Sequence, residues 1–319
     1  MTSPAVPSAA SAPGHPSRQA WVLFAAMSVI WGIPYLFIKI AVAELSPAAV
    51  AGGRTLLAAV ILVPLAARHG ALRPALRLWP WAVAFGLIEM AIPWLLLGQA
   101  ETRVPSGFAG LMLATVPIVA TILALLRREP GAVAPVRLLG LATGIIGVTA
   151  LVGLDSISGH IDLLSVVELL GVAIGYAVAP VIAARRLSDV PSMGVIALSV
   201  GAVAVLYLPV TVTSFAGGLP STEVLASVAV LGLVCTALAF VLFFRLLAAM
   251  GPTRSTLITF VNPAVAIVLG VVVLSEPITW GTVVGFPLVL LGSYWATRAP
   301  ATTTAGPSEL RADDDVPAG

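Results

Sequence analysis

Apolar stretches of about twenty residues follow one another along almost the whole chain, separated by only a few Pro, Gly or charged residues. Few folds allow that spacing. At about 1.5 Å per residue, roughly 20 residues of helix cross a hydrocarbon layer about 30 Å thick. We count ten such segments, near 20–43, 46–67, 79–99, 104–126, 136–153, 162–184, 192–214, 223–247, 254–275 and 278–298. Gaps as short as Glu44 to Pro47 and Glu101 to Pro105 make neighbouring segments antiparallel hairpins. Lipid offers no partners to open backbone groups, so continuous helices are expected. With 59% hydrophobic and only 9% charged residues, the chain is too apolar for a soluble globular protein. The fold class is an all-α integral membrane protein.

The basic residues fix a topology rather than a partner. They are scattered through short loops, with no patch of the kind that binds nucleic acid. If the N-terminus is cytoplasmic, Arg18, Arg68, Arg73, Arg77, Arg127, Arg128, Arg137, Arg185, Arg186, Arg245, Arg254, Arg298 and Arg311 fall on the inner side. Lys39, Arg54 and Arg103 remain for the outer side, with the acidic Asp155, Asp162, Glu223 and Glu276. An even number of segments returns the C-terminus to the cytoplasm. Residues 1–18 contain no continuous apolar run that could be the core of a signal peptide. Residues 299–319, with the Asp313-Asp314-Asp315 run, are too polar to order themselves. Both ends read as disordered cytoplasmic tails.

The chain also repeats itself. Val104 to Pro130 and Met250 to Pro277 share a Pro-Ser or Pro-Thr start, a central proline (Pro117, Pro263) and a closing Glu-Pro (Glu129, Glu276). The stretch from Gly86 aligns with that from Gly232, setting Trp94 against Phe240 and Glu89 against Cys235. Gly140 and Gly147 match Gly285 and Gly292. Residues 19–156 and 157–298 therefore form two copies of a five-helix unit. An odd number of spans per copy inverts the second against the first, placing Glu129 inside and Glu276 outside.

Ionisable groups at membrane depth cost about 2.5–3.5 kcal/mol each on insertion scales, so each needs a reason. Glu89 lies midway along the third segment, too deep to reach water. It could bind substrate or a proton, belong to an ion pair, or sit in a polar interface. Lys39 and Arg54 lie nearer the outer ends of their segments. Lys39 could snorkel to water or meet substrate, while Arg54, behind Gly52-Gly53, could face a cavity. Glu168 could pair with either cation or lie near the outer surface. Pro117 and Pro263 break helices at corresponding positions of the two halves, as at a transporter's central site. Asn262 adds a polar group there. Trp31, Tyr35, Trp94, Tyr176 and Phe240 could line a cavity or simply pack, while Trp21, Trp79, Trp81 and Trp295 suit interfacial anchors. The Gly140-x-x-x-Gly144 and Gly281-x-x-x-Gly285 spacings allow close helix contact within one protomer or between two, so the chain is a monomer or a homodimer.

Enzyme signatures are missing from the sequence. It contains no His-Glu-x-x-His, Walker A, Gly-x-Ser-x-Gly or Cys-x-x-Cys motif. His15, His69 and His160 fall in tail or loops, and the single Cys235 sits in an apolar segment. No metal site and no cofactor are expected.

Trp31-Gly32 with Lys39, Arg54-Thr55-Leu56-Leu57-Ala58, and Gly251-Pro252-Thr253-Arg254 leading into Asn262-Pro263 and Leu274-Ser275-Glu276-Pro277 together carry a resemblance. The chain resembles the EamA family of the drug/metabolite transporter superfamily over nearly all its length outside the tails. The resemblance implies ten transmembrane helices in two inverted EamA repeats in a bacterial inner membrane. It also implies a secondary transporter of small metabolites or drugs, often an exporter, with Lys39 and Arg54 as carried-over site positions. Glu101 to Val104 departs from the family pattern, in which a tyrosine is common before the fourth helix. Alternating access, with Glu89 serving proton coupling or a cationic solute group, is the expected mechanism. An uncoupled facilitator or channel-like pore is the alternative, and a non-transporting membrane receptor a third.

Overall fold

The computed structural model describes residues 17–157, 162–216, 218–255 and 257–298. The tails expected at 1–18 and 299–319, apart from Ser17, Arg18 and their own boundary, lie outside the described residues, as do His15, His160, Arg311 and the Asp313-Asp314-Asp315 run. Eight helices are long and apolar enough to cross a membrane: α1 (Arg18–Ala41), α2 (Pro47–Arg68), α3 (Trp79–Glu101), α4 (Ser106–Leu126), α5 (Pro135–Asp155), α6 (Leu163–Arg186), α7 (Ser192–Ala216) and α8 (Thr222–Gly251). Two shorter apolar helices follow, α9 (Ile258–Leu274) and α10 (Trp280–Ala296), of 17 residues each. A short helix, Leu72–Arg77, lies between α2 and α3. Among the described residues there is no strand. Large apolar side chains such as Val60, Leu163, Val205, Val272 and Trp280 point outward, which in water would be an aggregation surface and in lipid is the required one.

The expectation of continuous helices is corrected at four places. The α1 helix breaks at Trp31–Ile33 ahead of Pro34, and α4 breaks at Ala114–Thr115 ahead of Pro117. In both, proline withholds the donor that the preceding turn would need. The α3 and α8 helices instead widen into π-helix, at Leu87–Ala91 and Val230–Leu238. These two segments fall in the stretches that align from Gly86 and Gly232, so the duplication is carried in the backbone. In α8 the Thr236 hydroxyl donates to the Leu231 carbonyl (2.8 Å), occupying an acceptor in the widened turn.

The Glu-Pro closures also match in geometry. Arg128 (φ 54°) and Ser275 (φ 55°) take the left-handed conformation after α4 and α9. The next amides fold back, Glu129 onto the Ala124 carbonyl and Glu276 onto the Gly270 carbonyl, each at 3.0 Å. Both helices thus end in a left-handed residue followed by a backward hydrogen bond, which spans five residues after α4 and six after α9.

The α5 and α10 helices cross along glycine faces inside this chain. A Cβ on Gly140 would meet the backbone of Gly292, Trp295 and Ala296, and one on Gly292 would meet Gly140 and Gly144 backbone. Only glycine allows that approach. Gly292→Val should lower stability by about 1–3 kcal/mol or more through overpacking, while Gly153→Ala, where a Cβ meets nothing within 4 Å, should be neutral or better. Thermal unfolding in detergent compares the two.

Candidate functional site

A cavity of about 620 Å³ lies between the other eight helices, and its lining includes no residue of α5 or α10. Trp31, Pro34 and Tyr35 enter from the break in α1, Arg54 from α2, Glu89 and Trp94 from α3, and Pro117 from α4. Tyr176 comes from α6, Cys235 and Phe240 from α8, and Asn262 and Pro263 from α9. Arg54, Tyr176, Asn262 and Pro263 come from unbroken helices, α9 running through Pro263 without the break expected there, while the other residues sit at or beside the breaks and π-segments. Those irregularities fall where non-helical backbone can be tolerated in a membrane, against protein or a cavity.

Arg54 is the principal charge in this space, with 6% of its surface exposed. Its Nε donates to Thr236 Oγ1 (2.8 Å), and its guanidinium carbon lies 3.7 Å from the centre of the Trp94 ring. Among the described residues it makes no ion pair. The indole Nε1–H of Trp94 donates to the Tyr176 hydroxyl (3.1 Å), which fixes the ring beneath the cation. A guanidinium stacked on an aromatic face keeps further N–H donors for an anion. Glu89 sits on the π-segment of α3, and its Oε2 is buried without a hydrogen-bond partner among the described residues. One side of the cavity is aromatic: Trp31 packs on Phe243 (ring centres 4.7 Å) and edge-on to Phe240 (6.2 Å). Oriented to satisfy its hydrogen bonds, the Asn262 amide donates to the Ser28 and Ile258 carbonyls (3.0 and 2.9 Å), tying α9 to α1.

The structure therefore brings Glu89, Arg54, Trp31, Tyr35, Trp94, Tyr176, Phe240, Asn262, Pro117 and Pro263 to one cavity. It does not bring Lys39 there. The Lys39 Nζ donates to the carbonyls of Glu101 (2.6 Å) and Val104 (2.9 Å), where a cation compensates the C-terminal end of α3. Glu168 pairs with neither Lys39 nor Arg54; its partner is Arg103, which also holds Asp162 (2.7 Å).

The two ends of the cavity differ. At one end its lining reaches Leu187, Ser188 and Ser192, next to Arg185 and Arg186. At the far end polar contacts close the bundle. Glu276 accepts from the Ser106 amide (2.7 Å), the Ser106 hydroxyl (2.9 Å) and the Gly107 amide (3.1 Å), capping the first turn of α4. Asp155 accepts from Thr279 Oγ1 (2.7 Å) and the Gly281 amide (3.0 Å) at the start of α10. Hydrogen bonds from Ser221 across the far-end surface hold the Glu44 carboxyl below its usual range. Among the described residues Glu129, the counterpart of Glu276, reaches only the nearby Arg127 (3.0 Å), and it stays half exposed.

Some of these roles are invisible in the sequence. Glu101 reads as the first polar residue of a loop, yet it is fully buried and neither carboxyl oxygen has a partner among the described residues. Glu276 stands out by repetition, but nothing in the chain names Ser106 as the group it caps.

Two segments, residues 19–153 and 163–298, each match the EamA-like transporter family. The chain is 29% identical over 295 residues to the uncharacterized inner membrane transporter YedA of Escherichia coli (strain K12), covering 89% of this chain and 95% of that one. It is 24% identical over 277 residues to the uncharacterized transporter YvbV of Bacillus subtilis (strain 168), covering 86% and 90%. A solved crystal structure superposes with a TM-score of 0.61 at 19% identity, covering 88% of this chain and 96% of the other. That likeness speaks for the fold alone. With most of its length matched by two consecutive copies of one family unit, this multi-pass membrane protein belongs to the EamA-like transporter family.

Proposed function

We propose that this chain is a secondary transporter of the bacterial inner membrane that exports small amphipathic metabolites, such as amino acids or drug-like solutes, by alternating access. In this reading all ten apolar helices span the bilayer as two inverted five-helix repeats, and both termini are cytoplasmic. The arginine-rich end is then the inner face, and the conformation is open inward and closed outward. One observation carries the reading: a central cavity whose lining reaches the arginine-rich end, while hydrogen bonds join the helices at the far end, holds the buried Arg54 and the half-buried Glu89, whose Oε2 has no partner among the described residues. Arg54 would take the anionic group of a solute, Glu89 a cationic group or a proton, and the Trp31–Phe240–Phe243 wall its apolar part.

The inverted repeat supplies the second conformation. Glu276 reaches across to α4, whereas Glu129, which also follows a left-handed residue, meets only its neighbour Arg127 among the described residues. Rocking the repeats about the cavity would release the first and engage the second.

An untargeted comparison of metabolites in cells and medium, with and without the gene, tests the reading. A solute that builds up outside only when the protein is present supports export. No protein-dependent change on either side would refute it. With that solute in proteoliposomes, Arg54→Ala should cut transport at least about tenfold, the loss expected from removing a charge-assisted hydrogen bond. Glu89→Gln should change either the rate or its pH dependence; if both are unchanged, Glu89 has no part in binding or coupling. Accumulation against a gradient that an uncoupler abolishes separates a coupled transporter from a facilitator.

A further inference from the structure

Glu101 is the last residue of α3, fully buried, and both of its carboxyl oxygens lack a partner among the described residues. The charged and titratable groups around it are engaged elsewhere. Lys39 on α1 directs its ammonium to the Glu101 and Val104 backbone carbonyls, and it forms no ion pair within 4.0 Å among the described residues. Glu276, entering from the turn after α9, is held by Ser106 and Gly107. Glu168 on α6 is held by Arg103, and Arg54 on α2 lies against Trp94. Tyr35 on α1 is buried nearby, within electrostatic reach of Glu101. A bare carboxylate there would be a buried charge whose nearest cation, the Lys39 ammonium, is committed to two backbone carbonyls and makes no ion pair with it, which favours keeping the proton on the carboxyl group. Glu101 also lies just beneath the outer seal, since Ser106, the residue that Glu276 caps, follows five positions later.

We propose that Glu101 is a proton-binding site, separate from the central cavity, whose occupancy is linked to closure of the outer face. It rests on the alternating-access reading and adds to it a site and an ion. In the closed form one proton sits on a carboxyl oxygen of Glu101. When Glu276 leaves Ser106 and water enters, that proton passes to the outer aqueous phase and the carboxylate is left facing the Lys39 ammonium. Closure takes one proton back. The closed form binds the extra proton, so it is favoured at low pH and lost as pH rises.

The test uses the full chain in liposomes, in a Cys235→Ser background, with spin labels at the exposed Thr102 and Val283 on either side of the outer seal. Double electron–electron resonance then reads the ratio of open to closed distance populations against pH. We expect that ratio to rise with pH by up to about tenfold per unit, the limit for one linked proton. Glu101→Gln should flatten it and favour the closed form. A Glu101→Gln protein with the parent's pH dependence overturns the assignment, as does a parent protein whose two populations ignore pH. If no second distance appears at any pH, even with Glu276→Ala, alternating access itself fails. Should Glu101→Gln not fold, infrared difference spectra of the parent and Glu101→Asp proteins decide: the protonated-carboxyl band must shift with the substitution, and an unshifted band overturns the proposal.

Discussion

Every backbone amide and carbonyl of this chain that lies in lipid must find its partner within the protein, and the rest of the structure follows from that demand. Regular helix meets it along most of the chain. The places where α1 and α4 break and where α3 and α8 widen carry side chains that line the central cavity. A cavity forms at those places because only there can irregular backbone be kept from hydrocarbon. The side chains at the irregularities, Trp31, Tyr35, Glu89, Pro117 and Cys235, are consequently cavity residues.

The α5 and α10 helices have the opposite task. Their glycine faces bring the two backbones together so closely that side chains cannot separate them, and neither helix lines the cavity. Such a pair suits a fixed spine, against which the remaining helices could move. The polar groups that meet across the far end, Glu276 on Ser106 and Asp155 on Thr279, join segments distant in sequence by hydrogen bonds that can break as units. Carboxylates capping helix starts make strong but reversible joints, because the amides they leave can be satisfied by water.

Much of this was legible in the residues. Segment positions came from apolar run lengths, and Glu89, Arg54 and the paired prolines stood out because polar or helix-breaking groups at depth need a reason. Lys39 is ambiguous in the sequence, since a cation near a helix end looks the same whether it meets solute, water or, as here, the carbonyls that end a neighbouring helix. Glu101 was hidden by its neighbours: Thr102 and Arg103 beside it mark a loop, and burial at a helix end depends on what packs over it. The π-segments have no residue signature of their own, because Thr236 acts only once the helix has widened beside it.

Alternating access requires that one cavity be reached from one side at a time. Cys235, the only cysteine of the chain, lines that cavity but is 1% exposed, so a single cysteine at the half-buried, cavity-lining Val116, in a Cys235→Ser background, serves as the probe. Its alkylation by a membrane-impermeant thiol reagent, applied separately to right-side-out and inside-out vesicles, is the most direct measurement. Labelling is expected mainly from the arginine-rich face when Glu276 is present, shifting toward the opposite face when Glu276→Ala removes the cap on α4. Equal, simultaneous labelling from both faces, unaffected by that substitution, would contradict alternating access and describe an open pore.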